Sequence, residues 1–258
     1  MIEMTESANK VMSVSKAIRL INCLANARQP LSLQELSHKS GFPKSTSHAL
    51  LSSMRDEHWI DQTADGKYRL GVRLFELGSL VSQSWDIVRA ARPHIQHIAS
   101  ETGEPVQLAA IDHQEVLIID ALDTAGGLRV VTNIGMRLPV YCTALGKAML
   151  AFIPPAQAAA VLRPSDMPAY TPHTLTDPEK LASELAMIRE RGFAVENGEY
   201  RIGLRAVAAP IFDVSGEARY AIGVTGMFRR VNGEDFILAQ ELVDTAAQAI
   251  SAELGYRT

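Results

Sequence analysis

The chain has 258 residues, 47% of them hydrophobic, with 25 Lys and Arg against 29 Asp and Glu, a net charge of −4 and two cysteines. This composition excludes collagen-like, disordered and disulfide-framed classes. At about 100–200 residues per domain the length fits two modest domains, and the charge divides the same way: residues 1–72 hold nine Lys/Arg against seven Asp/Glu, the remainder sixteen against twenty-two. A slightly basic head precedes an acidic body.

Residues 1–12 contain acidic side chains and no apolar core of a signal peptide, so they are expected to be a frayed, disordered tail. From Ser13, the residues Val14, Ala17, Ile18, Ile21, Leu24 and Ala25 recur at three- and four-residue steps and predict one buried helical face ending near Ala27. Ser32 with Glu35 three residues on is a capping box, opening a short helix that Gly41 closes. Pro43 reads as the first residue of a third helix carrying Leu50, Leu51 and Met54 inward. Two short helices across a tight Gly turn form a helix-turn-helix. The third helix opens with Lys44, Ser45, Thr46, Ser47 and His48, hydroxyls and cations at a helix start, which suits a recognition helix on double-stranded DNA. Thr46 and Ser47 are expected to face base edges and Lys44 and His48 phosphates. Next, two strand-like runs flank Ala64-Asp65-Gly66 and predict a hairpin wing, with Lys67 and Arg69 placed to touch the DNA backbone or minor groove. Any one of these elements alone is more often structural; the ordered set points to DNA binding. A head this weakly charged needs a second copy to bind well, so a homodimer or homotetramer on a near-palindromic operator is expected.

Apolar residues at helical spacing run from Val72 to Ser100, with a break expected at Arg92-Pro93, which sets a linker helix at 73–92 and a body at 93–258. In the body, strands are expected over Pro105–Asp112, Glu115–Asp120, Leu128–Val131, Ala206–Phe212 and Tyr220–Thr225. Helices are expected over Thr143–Phe152, Pro155–Leu162, Asp177–Arg191 and Glu234–Leu254. Strands in meanders with helices between them make an α+β domain with a mostly antiparallel sheet.

Chemistry-bearing motifs are sparse. Gly146-Lys147 looks like the end of a phosphate loop, but Ala148 follows where Ser or Thr is needed. Asp112, His113 and Glu115 could approach a metal, yet strand alternation puts only two of them on one side, and neither a metal nor a cofactor is expected. Cys142 with His113 or His173 is the one arrangement from which a cysteine-dependent hydrolase or transferase could be built, against the plainer reading of a buried thiol. A ligand-free scaffold is a third reading. Cys23 and Cys142 both sit among apolar neighbours and suit reduced, buried thiols in a cytoplasm. The most apolar stretch, Leu145–Leu162, is interrupted by Lys147 and Pro154-Pro155, so no membrane span is expected.

Ser15-Lys16-Ala17, Gly41-Phe42-Pro43-Lys44-Ser45-Thr46 and Tyr68-Arg69-Leu70-Gly71 together resemble the winged helix of the IclR family of bacterial transcription regulators. In the body, Tyr141 to Ala151, Glu199 to Gly203 and Ala208-Ala209-Pro210 resemble segments of the same family. The resemblance implies a winged helix-turn-helix at 13–72, a linker that pairs two heads, and a GAF-like body that binds a small organic acid without chemistry of its own. It also implies an effector site at Thr143, Ala144, Leu145 and Gly146, with Glu196 or Asn197, Ala206, Gly223 and Thr225 on the facing walls. The chain departs from the family pattern at Ala49, where Arg is usual, at Ala206, where many members have Cys, and at Gly223, where a small polar residue is common. Smaller residues at the last two positions lead to the expectation of extra room for a larger, aromatic acid, unless Gly223 merely eases strand packing.

Overall fold

A computed structural model describes residues 11–84, 86–112, 114–123, 133–154, 157–158, 162–163, 165 and 167–257. The chain divides between positions 84 and 85 into two compact units.

The first unit contains α1 (Met12–Ala27), α2 (Leu33–Ser40), α3 (Lys44–Asp56), β1 (Ile60–Gln62), β2 (Tyr68–Leu70) and α4 (Val72–Ser84). Its core joins Leu20 and Leu24 of α1 to Leu31, Leu36, Leu51, Ile60 and Tyr68. The capping box forms as expected: the Glu35 N–H donates to Ser32 Oγ at 3.3 Å and the Ser32 N–H to the Glu35 carboxylate at 2.8 Å, a cap worth about 1 kcal/mol. Gly41, at φ 72°, closes α2, and the Ser37 hydroxyl fixes the following turn by donating to the Phe42 carbonyl at 2.6 Å. Pro43 is the N-cap of α3, one position earlier than expected. The wing pairs Ile60 with Leu70 and Gln62 with Tyr68, so a five-residue segment, 63–67, closes it. Leu31 and Tyr68 exchange backbone hydrogen bonds of 2.9 and 2.7 Å, tying the hairpin to the helices. The expected single buried face of α1 is corrected: Leu20 and Leu24 are its buried residues, while Val14 and Ile18 are 55% and 51% exposed. Hydrophobic spacing alone does not distinguish two apolar stripes on one helix from one.

The second unit contains α5 (Asp86–Thr102), β3 (Val106–Asp112), β4 (Glu115–Leu122), β5 (Arg137–Pro139), α6 (Ala144–Leu150), α7 (Pro178–Arg191), β6 (Ala194–Asn197), β7 (Arg205–Ile211), β8 (Tyr220–Gly226) and α8 (Glu234–Glu253). Six strands pair antiparallel in the order β5-β4-β3-β8-β7-β6. One face of the sheet packs on α5 and α8 through Ile87, Ile95, Ile98, Val106, Leu108, Val207, Val224, Phe236 and Val243. The other packs on α6 and α7 through Ala109, Ile118, Leu145, Met149, Leu181, Leu185, Ile188, Ala208 and Ala221. This assignment follows from strand alternation, since Val207 and Ala208 fall in different cores. Thr143 and Asp177 cap α6 and α7 as their sequence signals predict.

The break expected at Arg92-Pro93 is absent, because Pro93 lies inside a continuous α5. Burial of Ile87, Ala90 and Ala91 before it and of Ile95 and Ile98 after it holds the helix on both sides of the missing hydrogen bond. Arg92 also pairs with the buried Asp120 of β4 at 2.8 Å, so residues 86–92 pack with the body. Strands β5 and β6, three and four residues long, were not foreseen. The expected strand at Leu128–Val131, most of the expected helix at Pro155–Leu162 and the tail up to position 10 lie outside the described residues. No described helix is long and apolar enough to cross a membrane.

Candidate functional site

Two surfaces carry the functional expectations, one in each unit. In the first, α3 presents Lys44, Ser45, His48 and Ala49 to solvent, with Thr46 half-buried. Ser47 is corrected: it is fully buried, facing the core beside Leu51, and cannot reach a base edge. One residue is about 100° of helix rotation, so a run of five polar residues does not itself reveal which of them turns inward. Ser52 and Arg55 extend the outer face instead; Arg55 donates to Gln62 of the wing at 3.0 Å. On the hairpin, Tyr68 faces the core and alternation leaves Lys67 and Arg69 exposed. Lys67 pairs with Asp65 and Arg69 with Asp61, each at 3.3 Å. Exposed pairs of this kind are worth about 0–1 kcal/mol, so both cations can exchange these partners for phosphate at little cost.

In the second unit, a cavity of about 60 Å³ lies between α6 and the sheet. Thr143, Ala144, Leu145, Glu196, Ala206, Gly223 and Thr225 line it as the resemblance implied, together with Gln107, Met136, Leu138, Tyr200, Arg201, Leu204 and Val207, which it did not. Gly146 and Asn197 are not among the lining residues. Gly146 is needed for a close approach, since a Cβ there would stand 2.2 Å from the Val140 carbonyl oxygen. Asn197 is exposed because it alternates with the buried Glu196 on β6. Nor does Gly223 add room: a Cβ would meet Val207 O at 2.8 Å and Ala208 Cβ at 2.9 Å, so glycine serves strand packing. At about 10–15 Å³ for one water, the cavity holds the equivalent of a few waters. A second hollow of about 550 Å³ shares Leu138 and Tyr200 with it.

The Thr143 hydroxyl accepts from the Gly146 N–H at 3.2 Å and donates to Pro139 O at 2.8 Å, so α6 caps itself. Beneath the cavity, Lys147 is fully buried, its Nζ 2.7 Å from Glu184 and 2.5 Å from Glu199. It is a structural cation with both partners in place, not a phosphate-loop lysine. Glu196 accepts the N–H groups of Glu199 and Tyr200 on one oxygen. Burial pushes its carboxyl from 4.5 up to about 7, against the pull of those two hydrogen bonds, and burial raises Glu199 as well. Cys142 is fully buried. Burial first, and then Glu199 and Glu196, push its thiol up to about 12, which keeps it protonated and removes it as a nucleophile at neutral pH. Cys23, in contrast to the expectation, is half-buried. Asp112 and Glu115 are bridged by Arg137 at 2.5 and 3.1 Å, and His113 lies outside the described residues. No metal-binding cluster occurs among the described residues.

The C-terminal domain of bacterial transcriptional regulator IclR matches residues 79–252, and the IclR helix-turn-helix domain matches residues 13–64. The chain belongs to the IclR family. It is 32% identical to the HTH-type transcriptional regulator XynR of Escherichia coli K12 over 95% of this chain and 98% of that one. It is 30% identical to the transcriptional repressor IclR of the same organism over 96% of this chain and 92% of the other. Among solved structures, an IclR homologue from Microbacterium hydrocarbonoxydans in complex with 4-hydroxybenzoate superposes with a TM-score of 0.84 at 26% identity, covering 94% of this chain and 98% of that one. This IclR-family chain is therefore a DNA-binding transcription regulator and not an enzyme; the relatives named here give no support to a hydrolase or transferase working through Cys142.

Proposed function

We propose that this IclR-family regulator binds a near-palindromic operator as a homodimer or homotetramer and changes its operator affinity when a small organic acid enters the second unit's cavity. The observation that carries the reading is the pairing, in one chain, of a polar recognition surface at Lys44, Ser45 and His48 with a mostly apolar cavity elsewhere that has a few polar groups on its walls. Lys44, Ser45, Thr46, His48, Lys67 and Arg69 make the DNA contacts in this reading, and Ser47 supports α3 from within.

Assembly is supported by apolar surface in the first unit. Val14 and Ile18 border a groove with Met54 and Trp59, and Phe75 and Leu80 of α4 are 75% and 60% exposed. Exposed apolar surface of this extent on a small unit marks an interaction site. The 4-hydroxybenzoate complex of the Microbacterium relative supports a carboxylic acid as the effector class. The test is operator affinity, by fluorescence anisotropy, with and without a panel of small acids. A shift with one acid that is lost in Ala206→Leu, which fills the cavity floor, is the expected result. No response to any acid, with operator binding retained, would reduce the reading to DNA binding alone.

A further inference from the structure

If the cavity is an effector site, as proposed above, its charge decides what it takes. Glu196 is the carboxylate on its wall, 4% exposed. Lys147 of α6, which acts on it electrostatically, is held by Glu184 of α7 and by Glu199, and the cation on the cavity lining, Arg201, is exposed, where pairing contributes little. Other titratable groups around it are Glu199, the Cys142 thiol and the Tyr200 phenol, none of them positive. Beside it on β7 and β8 stand the uncharged Ala206 and Thr225, and His173 lies against Gly198 on the following turn. On β3 of the same sheet, beyond β7 and β8, the Gln107 amide is 2% exposed. Its Oε1 accepts from the Thr225 hydroxyl at 3.1 Å, while its Nε2 has no partner among the described residues.

A buried donor without a partner calls for an acceptor on the ligand. A buried, ionised carboxylate repels an anion in the same space, and a proton removes the repulsion. We infer that the cavity binds a small carboxylate together with one proton. Water supplies the proton, Glu196 becomes the acid and donates its O–H to a ligand carboxylate oxygen, and Gln107 Nε2 donates to another ligand oxygen. Burial already holds the Glu196 carboxyl near 7, so the uptake falls where small changes of pH alter the response. Effector sensing and pH sensing then share one group.

Calorimetric titration of the full chain with pyruvate and with 4-hydroxybenzoate, near pH 6, 7 and 8 and in two buffers of different ionisation heat, reads affinity and proton uptake together. For a probe that binds, the expected result is a dissociation constant that rises about fivefold between pH 7 and 8, with close to one proton taken up per ligand at pH 8. Glu196→Gln, which keeps the carbonyl acceptor and carries no charge, should bind the same probe with little pH dependence and no uptake. The wild-type proton count stands by itself if the variant does not fold. Constant affinity without uptake overturns the inference, as does a Glu196→Gln variant with the wild-type pH dependence. Failure of both acids to bind at about millimolar concentration overturns it too; since operator binding is measured separately, that failure leaves DNA-binding regulation standing.

Discussion

Replacing Lys147 by Met tests the buried charge cluster beneath the cavity. The substitution shortens the side chain by only one heavy atom but leaves Glu184 and Glu199, whose side chains are 20% and 11% exposed, without their cation. Removing one partner of a buried ion pair costs about 3–5 kcal/mol. For a unit of roughly 150–250 residues each kcal/mol lowers the melting temperature by about 2–4 °C, so the second unit's transition should fall by at least about 6 °C at neutral pH. Differential scanning calorimetry of the full chain reads this directly. Two controls separate charge from packing. The triple variant Lys147→Met, Glu184→Gln, Glu199→Gln should recover most of the loss, because neutral amides need no cation. The single variant's deficit should also shrink as pH falls, since Glu199, raised by burial, takes up a proton more readily than an ordinary carboxyl. A Lys147→Met protein melting within about 2 °C of wild type at pH 7 would mean that the cluster contributes nothing, and the buried position of Lys147 would need another cause.

Because Glu196 titrates near 7 in the folded chain against 4.5 as its ordinary value, the folded state holds a proton that the unfolded state releases between those limits. Its stability contribution is complete below about pH 4.5, falls as pH rises, and costs about 3 kcal/mol above pH 7, so Glu196→Gln should be the more stable protein at pH 8 and equal to wild type at pH 4 in urea titrations. In the first unit, Lys67→Ala and Arg69→Ala should each weaken binding to all DNA sequences and reduce the salt slope by roughly one unit; unchanged slopes would remove the wing from the interface. Ile18→Glu and Phe75→Glu should shift the chain toward monomer in light scattering at micromolar concentration, and a wild-type mass in both would exclude α1 and α4 as the assembly surface.

Locally encoded features were the ones most legible in the sequence. Ser32 with Glu35, Gly41, Thr143 and Asp177-Pro178 mark helix ends because a cap satisfies backbone groups within three or four residues of itself. Features set by distant partners were less so. The three residues of β5 are a strand because Glu115 to Leu117 of β4 pair with them, and nothing within Arg137-Leu138-Pro139 announces that. Lys147 meets carboxylates 37 and 52 residues further along the chain, so a side chain that looks catalytic beside Gly146 is a buried strut. Half of the cavity wall followed from the resemblance, but Gln107, Leu138, Tyr200 and four others were missed: their strands and turns reach the cavity only once the sheet order is known. The rotation of α3 was likewise open, because Ser45, Thr46 and Ser47 differ in burial and hardly in chemistry.

Sequence-specific recognition by the first unit is tested most directly by selection from a pool of randomised DNA duplexes, with the full-length wild type and a Lys44→Ala, Ser45→Ala, His48→Ala variant run in parallel. The expected result is enrichment of a near-palindromic sequence by the wild type, with half-sites about one or two helical turns apart, and no enrichment by the variant. A wild-type pool without any enriched sequence, or the same sequence enriched equally by the variant, would contradict the assignment of α3 as the recognition helix.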